Sequence, residues 1–381
     1  MKKIIIGISS LFIILIIFFL IFNLLIKSNT QRSSKIIKIG YAYPFSYDEQ
    51  IKLSLGIELA IKEINEKGGV RGKKIELVKI DDNADVSTGM RAAQSLVDNE
   101  EILAVIGHFN SGVAKSTIPI YEEYNMVFIA PAATAPDIIK PEYNYIFRTI
   151  PNDKITIDYL IEYLYNNNIR KIAIYYNNDD FGIGVANSVE KTSKKYNIEI
   201  VDRTHNIDIN NLDRVLNRWR AFECEALIIG TSFNDSKELI KKIKDQIPEL
   251  IIAGTSSLNH TNFIDYLEKS SENSIIPTHF NITSSKNLNK IFLENFIKSY
   301  STEPDMFAAI GYDTIMILKD AIEISLQNNN LSKKELANQL RNLRNRIGVT
   351  GTLYRFENGE FLGDNIHITY VKDGEFIYFE Y

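Results

Sequence analysis

The sequence is poor in cysteine and in the motifs of metal sites. Its 381 residues include one cysteine, Cys224. An internal disulfide is therefore excluded, and so is a zinc or iron–sulfur centre built from clustered cysteines. We expect Cys224 to be a buried apolar thiol, because free cysteine packs as a small hydrophobic residue. The five histidines lack the spacing of metal ligands, so the sequence predicts no metal site.

An excess of basic charge and the motifs of catalysis are also missing. The chain has 43 basic and 48 acidic residues, and no basic stretch stands out, so nucleic acid is not an expected partner. The run Gly68–Lys73 lacks phosphate-loop spacing, Gly182-x-Gly184 lacks the third glycine of a dinucleotide site, and no Gly-x-Ser-x-Gly elbow occurs. We predict no cofactor and favour a binding protein over an enzyme. The acid pairs Asp81–Asp82 and Asp179–Asp180 are expected to cap helices rather than to catalyse.

A long apolar run is present at the N-terminus. Ile4–Ile26 is interrupted by only four small or polar residues and follows Lys2 and Lys3. About 20 apolar residues span a bilayer as a helix. Basic residues in front keep that end in the cytoplasm, which places the rest of the chain outside. We predict an uncleaved anchor plus linker over residues 1–34. The alternative is a cleaved signal peptide, whose apolar core is usually about 7–15 residues long.

Apolar strands alternate with amphipathic helices and predict two α/β units. The predicted strands of the first unit are Ile36–Ala42, Ile75–Ile80, Ile102–Ile106 and Met126–Ala130. Helical patterns separate them, which calls for a parallel sheet covered by helices. A second run of the same kind begins at Lys171–Tyr176. Extended stretches at 145–151 and 273–282 break the rhythm, and the alternating tail after residue 352 predicts hairpins.

Two loops between Ile106 and Pro136 form the candidate binding site. In a parallel sheet they would follow neighbouring strands, at the edge where open α/β sheets bind ligands. Both loops carry small residues, hydroxyl groups and free backbone N–H groups near a helix start. That chemistry suits a carboxylate or another anion.

Seven motifs follow one another along nearly the whole chain beyond residue 35. They are Ile64–Gly72, Val105–His108, Pro131–Pro136, Phe147–Thr149, Asp180–Gly184, Gly311–Asp313 and Val349–Leu353. In this order they resemble the type I periplasmic binding proteins, and among these the branched-chain amino-acid binding proteins of ABC importers. The resemblance implies two doubly wound parallel-sheet lobes that are joined by three crossover strands and enclose the ligand. Lobe I would comprise 35–148 and 281–351, and lobe II would comprise 149–280 and 352–381.

The resemblance assigns the ligand carboxylate to lobe I. It implies contacts from the Ser111 hydroxyl, from the backbone at Ala132, and from the hydroxyl and N–H of Thr134, with Asn110 and Ala133 beside them. Charge-assisted hydrogen bonds from such donors hold a carboxylate without a lysine or arginine. The alternative is that Ser111 and Thr134 merely cap helices.

Lobe II departs from the pattern of the family. Phe181 stands where the family has a tyrosine, which keeps an aromatic wall but loses the hydroxyl, and Phe233 could face the cleft from a strand end. Ser256 stands where the amino-acid binders carry a glutamate for the ligand's α-ammonium. A buried ammonium without a carboxylate is costly. Either the ligand lacks an ammonium group, or another acid pairs with it, the candidates being Asp48, Glu49 and Asp235.

The expected function is that of an extracytoplasmic solute-binding protein. It would bind an amino acid or a related carboxylate or amide by hinge closure. Its partners would be this solute, an ABC permease and the membrane, through the N-terminal helix. The alternatives are a membrane-anchored extracellular sensor of the same fold and, third, an α/β enzyme.

Overall fold

The computed structural model describes residues 35–45, 52–205, 207, 212–260, 262–344, 346–363 and 365–379. The predicted anchor or signal segment, residues 1–34, lies outside these residues, as do Asp48 and Glu49. None of the helices within the described ranges combines the length and the apolar character needed to traverse a bilayer.

Lobe I is built on a five-stranded sheet in which every pair of neighbours is parallel. Its strands are β1 (Ile36–Tyr43), β2 (Lys74–Asp81), β3 (Ile102–Ile106), β4 (Val127–Ala130) and β5 (Ile146–Arg148), in the order β2-β1-β3-β4-β5. The connecting helices are α1 (Leu53–Glu66), α2 (Val86–Asp98) and α3 (Ser111–Glu123). Separate apolar cores cover the two faces of the sheet, so the predicted α/β fold with helices on a parallel sheet is confirmed.

Lobe II begins with five further strands. They are β6 (Lys171–Tyr176), β7 (Glu199–His205), β8 (Ala226–Gly230), β9 (Ile251–Gly254) and β10 (Ile275–Thr278), all in parallel pairs. The helices of this lobe are α4 (Asp153–Asn166), α5 (Asp180–Tyr196), α6 (Leu212–Ala221), α7 (Phe233–Gln246) and α8 (Phe263–Leu267). Two cores again flank the sheet.

The chain then returns to lobe I. Helices α9 (Asn287–Tyr300), α10 (Met306–Gln327) and α11 (Lys333–Arg341) pack on its core. Helix α10 lies so close to α1 that a Cβ added at Gly56 would be 1.9 Å from the carbonyl oxygen of Ala308. Glycine is therefore required at this helix crossing.

Two short hairpins follow, and they also pack on lobe I. They are β11 (Arg346–Ile347) with β12 (Leu353–Tyr354), and β13 (Phe356–Glu357) with β14 (Glu360–Phe361). The core of lobe I includes Tyr354, Phe356 and Phe361. The backbone N–H of Arg148 in β5 also donates to the carbonyl of Gly359, which fixes the second hairpin on this lobe. We therefore propose that lobe I extends to Phe361, whereas the sequence analysis began lobe II at residue 352.

The final hairpin completes the sheet of lobe II. Strand β15 (His367–Lys372) runs antiparallel to β10, and β16 (Glu375–Phe379) antiparallel to β15, so the order is β16-β15-β10-β9-β8-β6-β7. Asp373 and Gly374 form the predicted turn, with φ of 53° and 74°. The hairpin predicted for the alternating tail is thus present, and it adds two antiparallel strands to the parallel part of this sheet.

The single cysteine behaves as an inert structural residue. Cys224 is half-buried against the core of lobe II, and its thiol donates to the carbonyl of Ala226 at 3.4 Å. Burial raises the pKa of the thiol to about 12. Since the thiolate is the reactive form, Cys224 is not activated for chemistry.

Candidate ligand-binding cleft

A cavity of about 350 Å³ lies between the two lobes, beside the loops that follow their parallel strands. Six of the eight predicted site residues line it, four from lobe I and two from lobe II. They are Asn110, Ser111, Ala132, Thr134, Phe181 and Ser256. The volume is at the small end of the range for protein cavities that hold small molecules.

A buried histidine, His108, holds the loop after β3 in place. His108 Nδ1 lies 2.6 Å from Asp82 Oδ2, and His108 Nε2 lies 3.0 Å from the Tyr121 hydroxyl. His108 and Asp82 are both essentially inaccessible. His108 is thus a structural residue whose two ring nitrogens both have hydrogen-bond partners. Its loop starts at Gly107, where φ is +148° and a Cβ would be 2.2 Å from a backbone oxygen.

Ser111 opens helix α3 but does not cap it. The N-cap position is Asn110, and the Ser111 Oγ instead accepts a hydrogen bond from the N–H of Ala135 at 3.2 Å. A hydroxyl that accepts in this way keeps its own proton for donation. Ser111 therefore ties the two cavity loops together and can still donate to a ligand.

The loop from Pro131 to Pro136 is held by a buried arginine. Arg148 is 0% exposed, and its Nη1 donates to the carbonyls of Ala133 at 3.2 Å and Ala135 at 2.8 Å. Its Nε and Nη2 donate to the two carboxylate oxygens of Glu360, at 3.0 and 2.6 Å. The guanidinium therefore braces the loop that carries Thr134 without lining the cavity itself.

Two predicted site residues do not line the cavity. Ala133 is fully buried, with its carbonyl on Arg148. Phe233 is 2% exposed and packs in the lobe II core, with its ring centroid 5.3 Å from that of Phe263. The prediction for Phe233 treated it as a strand-end residue, but it is the first residue of α7 and points inward.

The lobe II wall carries three carboxylates, from Asp179, Asp180 and Asp235. Asp179 caps α5 by accepting from the N–H of Gly182 at 2.7 Å, as predicted for this acid pair. Desolvation raises the pKa of Asp179, and the nearby charge of Asp235 adds to that rise. Ser256 lies beside these groups and begins a short 3₁₀ turn.

Some residues that line the cavity were not predicted from the sequence, among them Asp179, Asp180, Phe109 and Phe307. The two aspartates lie shortly after the end of β6, and the strand-end rule that selected the lobe I loops could have found them. Phe109 adjoins the predicted Asn110. Phe307 comes from α10 near the far end of the chain, and no local signal marks it.

The lobes touch at the mouth of the cavity. Lys115 of α3 lies 2.6 Å from Asp137 of its own lobe and 2.7 Å from Asp180 of lobe II. Hydrogen bonds to Asp137 and Asp180 raise the pKa of this lysine. Nearby, a Cβ added at Gly184 would be 3.2 Å from Pro136 across the interface. The two lobes are therefore in direct contact beside the cavity.

Comparison with known proteins agrees with this architecture. The family described as "Periplasmic binding protein" matches residues 36–375. The Leu/Ile/Val-binding protein of Citrobacter freundii is 37% identical over 150 residues, which are 38% of this chain and 40% of that protein. The match thus spans about two fifths of the length of such curated relatives.

Solved structures match over more of the chain. An ABC transporter substrate-binding protein from Desulfitobacterium hafniense, in complex with Leu, superposes with a TM-score of 0.80 at 33% identity. The match covers 90% of this chain and 100% of that one. A leucine-binding protein from Thermotoga maritima, at 21% identity, shares the fold with a TM-score of 0.81 over 90% of this chain and 98% of its own. These relatives are binding proteins rather than enzymes. The chain therefore belongs to the periplasmic binding protein family, as a type I member that resembles the branched-chain amino-acid binding proteins.

Proposed function

We propose that this protein captures a small apolar α-amino acid between its lobes and delivers it to an ABC permease. The observation that carries the proposal is the polarity of the cavity. Hydroxyl and amide donors lie on the lobe I wall, and carboxylates lie on the lobe II wall. A zwitterion bound between them would meet a complementary group at each end.

The carboxylate of the amino acid is assigned to lobe I. Ser111 keeps a donatable hydroxyl proton, Thr134 adds a second hydroxyl, and the N-terminus of α3 adds backbone N–H groups. A helix start favours negative charge. No lysine or arginine lines the described part of the cavity, so these neutral donors carry the anion.

The ammonium group is assigned to Asp235 and Asp179, in place of the glutamate that is absent at Ser256. The Asp235 Oδ2 accepts from the Ser232 hydroxyl at 2.8 Å and from Asn177 Nδ2 at 3.4 Å, which orients this carboxylate at the cavity wall. Phe109, Phe181 and Phe307 supply the apolar surface for the side chain. The Leu complex of the Desulfitobacterium relative supports an amino acid of this size.

A thermal-shift and calorimetric titration of the purified full chain tests the proposal. L-leucine, L-isoleucine and L-valine are expected to raise the melting temperature. A hundredfold excess over Kd adds about 2.7 kcal/mol to the free energy of unfolding. Asp235→Asn and Asp179→Asn should lower the affinity for L-leucine. The affinity for 4-methylpentanoate, which has no ammonium group, should stay unchanged. Binding of 4-methylpentanoate alone would refute the ammonium assignment, and binding of neither compound would refute the function.

Closure around the solute is proposed to involve the ion pair between Lys115 and Asp180. Both side chains are about two-fifths exposed, so the pair is worth at most about 1 kcal/mol. Lys115→Met should therefore raise the Kd for L-leucine by about two- to fivefold, mainly through faster dissociation. Stopped-flow dissociation rates measure this change. The matched control is Lys154→Met, whose ion pair with Asp158 lies within helix α4 of lobe II. Equal dissociation rates of L-leucine from the Lys115→Met and Lys154→Met variants would exclude a role of the Lys115–Asp180 ion pair in closure.

The binding lobes are proposed to face the outside of the cell. The apolar run Ile4–Ile26 behind two lysines supports a membrane tether with that orientation. A tethered sensor of the same fold is the second candidate, favoured by the same run. Stimulation of transport by a reconstituted permease, on addition of this protein and L-leucine, would distinguish delivery from sensing.

A further inference from the structure

A carboxyl group without solvent contact lies directly behind the lobe I wall of the cavity. Asp153, the first residue of α4, is 1% exposed. The side chain of Thr134 lies beside its carboxyl group and lowers the pKa of that group. The backbone N–H of Asp153 donates to the Thr134 carbonyl at 2.9 Å. The second carboxyl oxygen, Oδ2, has no hydrogen-bond partner among the described residues. An unsatisfied buried oxygen of this kind calls for an explanation.

The charged groups around Asp153 do not neutralise it. Arg148 is the cation that acts on it, but the guanidinium of Arg148 is committed to Glu360 and to the carbonyls of Ala133 and Ala135. Burial raises the pKa of Asp153 to about 7, against the opposing effects of the Thr134 side chain and Arg148. Protonated and ionised forms are therefore both populated near neutral pH.

The two forms impose different directions on the Thr134 hydroxyl, which has a single proton. An ionised Asp153 can only accept, so the Thr134 proton points at Asp153 and a lone pair faces the cavity. A protonated Asp153 can donate to the Thr134 oxygen, and the threonine proton is then free for an anion in the cavity. The protonation of Asp153 thus decides whether Thr134 attracts or repels a carboxylate.

We propose that Asp153 is a positioning residue that sets the direction of the Thr134 hydroxyl and so links carboxylate binding to the uptake of one proton. Binding then tightens as the pH falls and weakens as it rises. This inference rests on the proposed function, because it requires Thr134 to contact the carboxylate. Protonation of Asp179 on the lobe II wall would act in the opposite direction, since it removes a partner of the ammonium.

Calorimetric titration of the full chain with L-leucine tests the inference at pH 5.5 and pH 8.5, in buffers of different protonation enthalpy. The Kd is expected to be about tenfold lower at pH 5.5, with net proton uptake on binding near pH 7. In Asp153→Asn the side chain cannot ionise and its NH2 group can donate to Thr134 at every pH, so the affinity at pH 8.5 should approach the wild-type affinity at pH 5.5, without proton uptake. Asp158→Asn, on the same helix, is the control and should keep the wild-type profile.

Two results would overturn the inference. One is that the wild-type protein binds L-leucine with the same Kd at both pH values and takes up no proton. This measurement is made on the wild-type protein and does not depend on the folding of a variant. The other is an Asp153→Asn protein that binds L-leucine with the wild-type pH profile. Absence of L-leucine binding at every pH is a different outcome, because it refutes the proposed function and this inference with it.

Discussion

Replacing Ser111 by alanine and Thr134 by valine is expected to weaken L-leucine binding by about a hundredfold to ten-thousandfold. Each hydroxyl is proposed to donate to the ligand carboxylate, and a hydrogen bond to a charged group is worth about 1.5–3 kcal/mol. The two losses sum to about 3–6 kcal/mol if they are independent. Isothermal titration of the double variant and of both single variants measures the effect. Ser111→Ala also removes the acceptor for the Ala135 N–H, which adds to the loss of affinity expected for this single variant.

Thr117→Val is the matched control for this prediction. Thr117 is also buried in α3, but its hydroxyl donates to the helix carbonyl of Val113 at 3.0 Å and does not line the cavity. This variant should bind L-leucine like the wild type. If the double variant retains wild-type affinity, the carboxylate is not held at Ser111 and Thr134.

Arg148→Met is expected to lower the free energy of unfolding by about 3–5 kcal/mol. Arg148 is fully buried and Glu360 is 22% exposed, so removal of the guanidinium leaves a mostly buried carboxylate uncompensated. Here the loss also frees the carbonyls of Ala133 and Ala135, which have no access to water in the loop that carries Thr134. Urea denaturation measures the change in stability. Affinity for L-leucine should fall as well, because the loop that carries Thr134 loses its hydrogen bonds to Arg148.

The control is Arg203→Met, which removes an arginine from an ion pair that is exposed by about a third. Arg203 lies 2.6 Å from Glu190, and such a pair contributes at most about 1 kcal/mol. The double variant Arg148→Met with Glu360→Met should recover part of the lost stability, since no unpaired charge is left. Equal stability losses for Arg148→Met and Arg203→Met would show that burial adds nothing to the Arg148 pair.

The loops of lobe I were predictable because a general rule applies to them. Parallel strands present their carboxyl ends at one edge, so Ser111 and Thr134 could be brought together from strand patterns alone. The residues that hold these loops in place could not be predicted in this way. Arg148 reaches Glu360 across 212 positions of the chain, and a sequence pattern contains no measure of such a contact. Asp153 is one of several acids in the first turn of a helix, and nothing in the sequence distinguishes it from the others.

The prediction for Phe233 was wrong because the predicted start of its helix was wrong. The sequence pattern predicts a helix from Asp235 to Ile243, which would place Phe233 on a strand-end loop from which it could face the cleft. The structure starts α7 at Phe233, because the Ser232 hydroxyl caps it by accepting from the N–H of Asp235. Inclusion in the first turn directs the ring into the core beside Phe263. A shift of two residues in a helix start therefore removed one aromatic from the predicted cavity.

Neither lobe is a continuous stretch of chain, and this has a consequence for folding. The core of lobe I needs Phe356 and Phe361, while the sheet of lobe II needs β15 and β16 beyond them. Both lobes therefore need residues from the segment 346–379 to complete their apolar cores and sheets. Contacts of such long sequence separation slow folding, and a nascent chain could not complete either lobe before this segment is made. Loss of this shared segment would expose apolar surface in both lobes at once, because Phe361 packs in the core of lobe I and Ile368 in a core of lobe II.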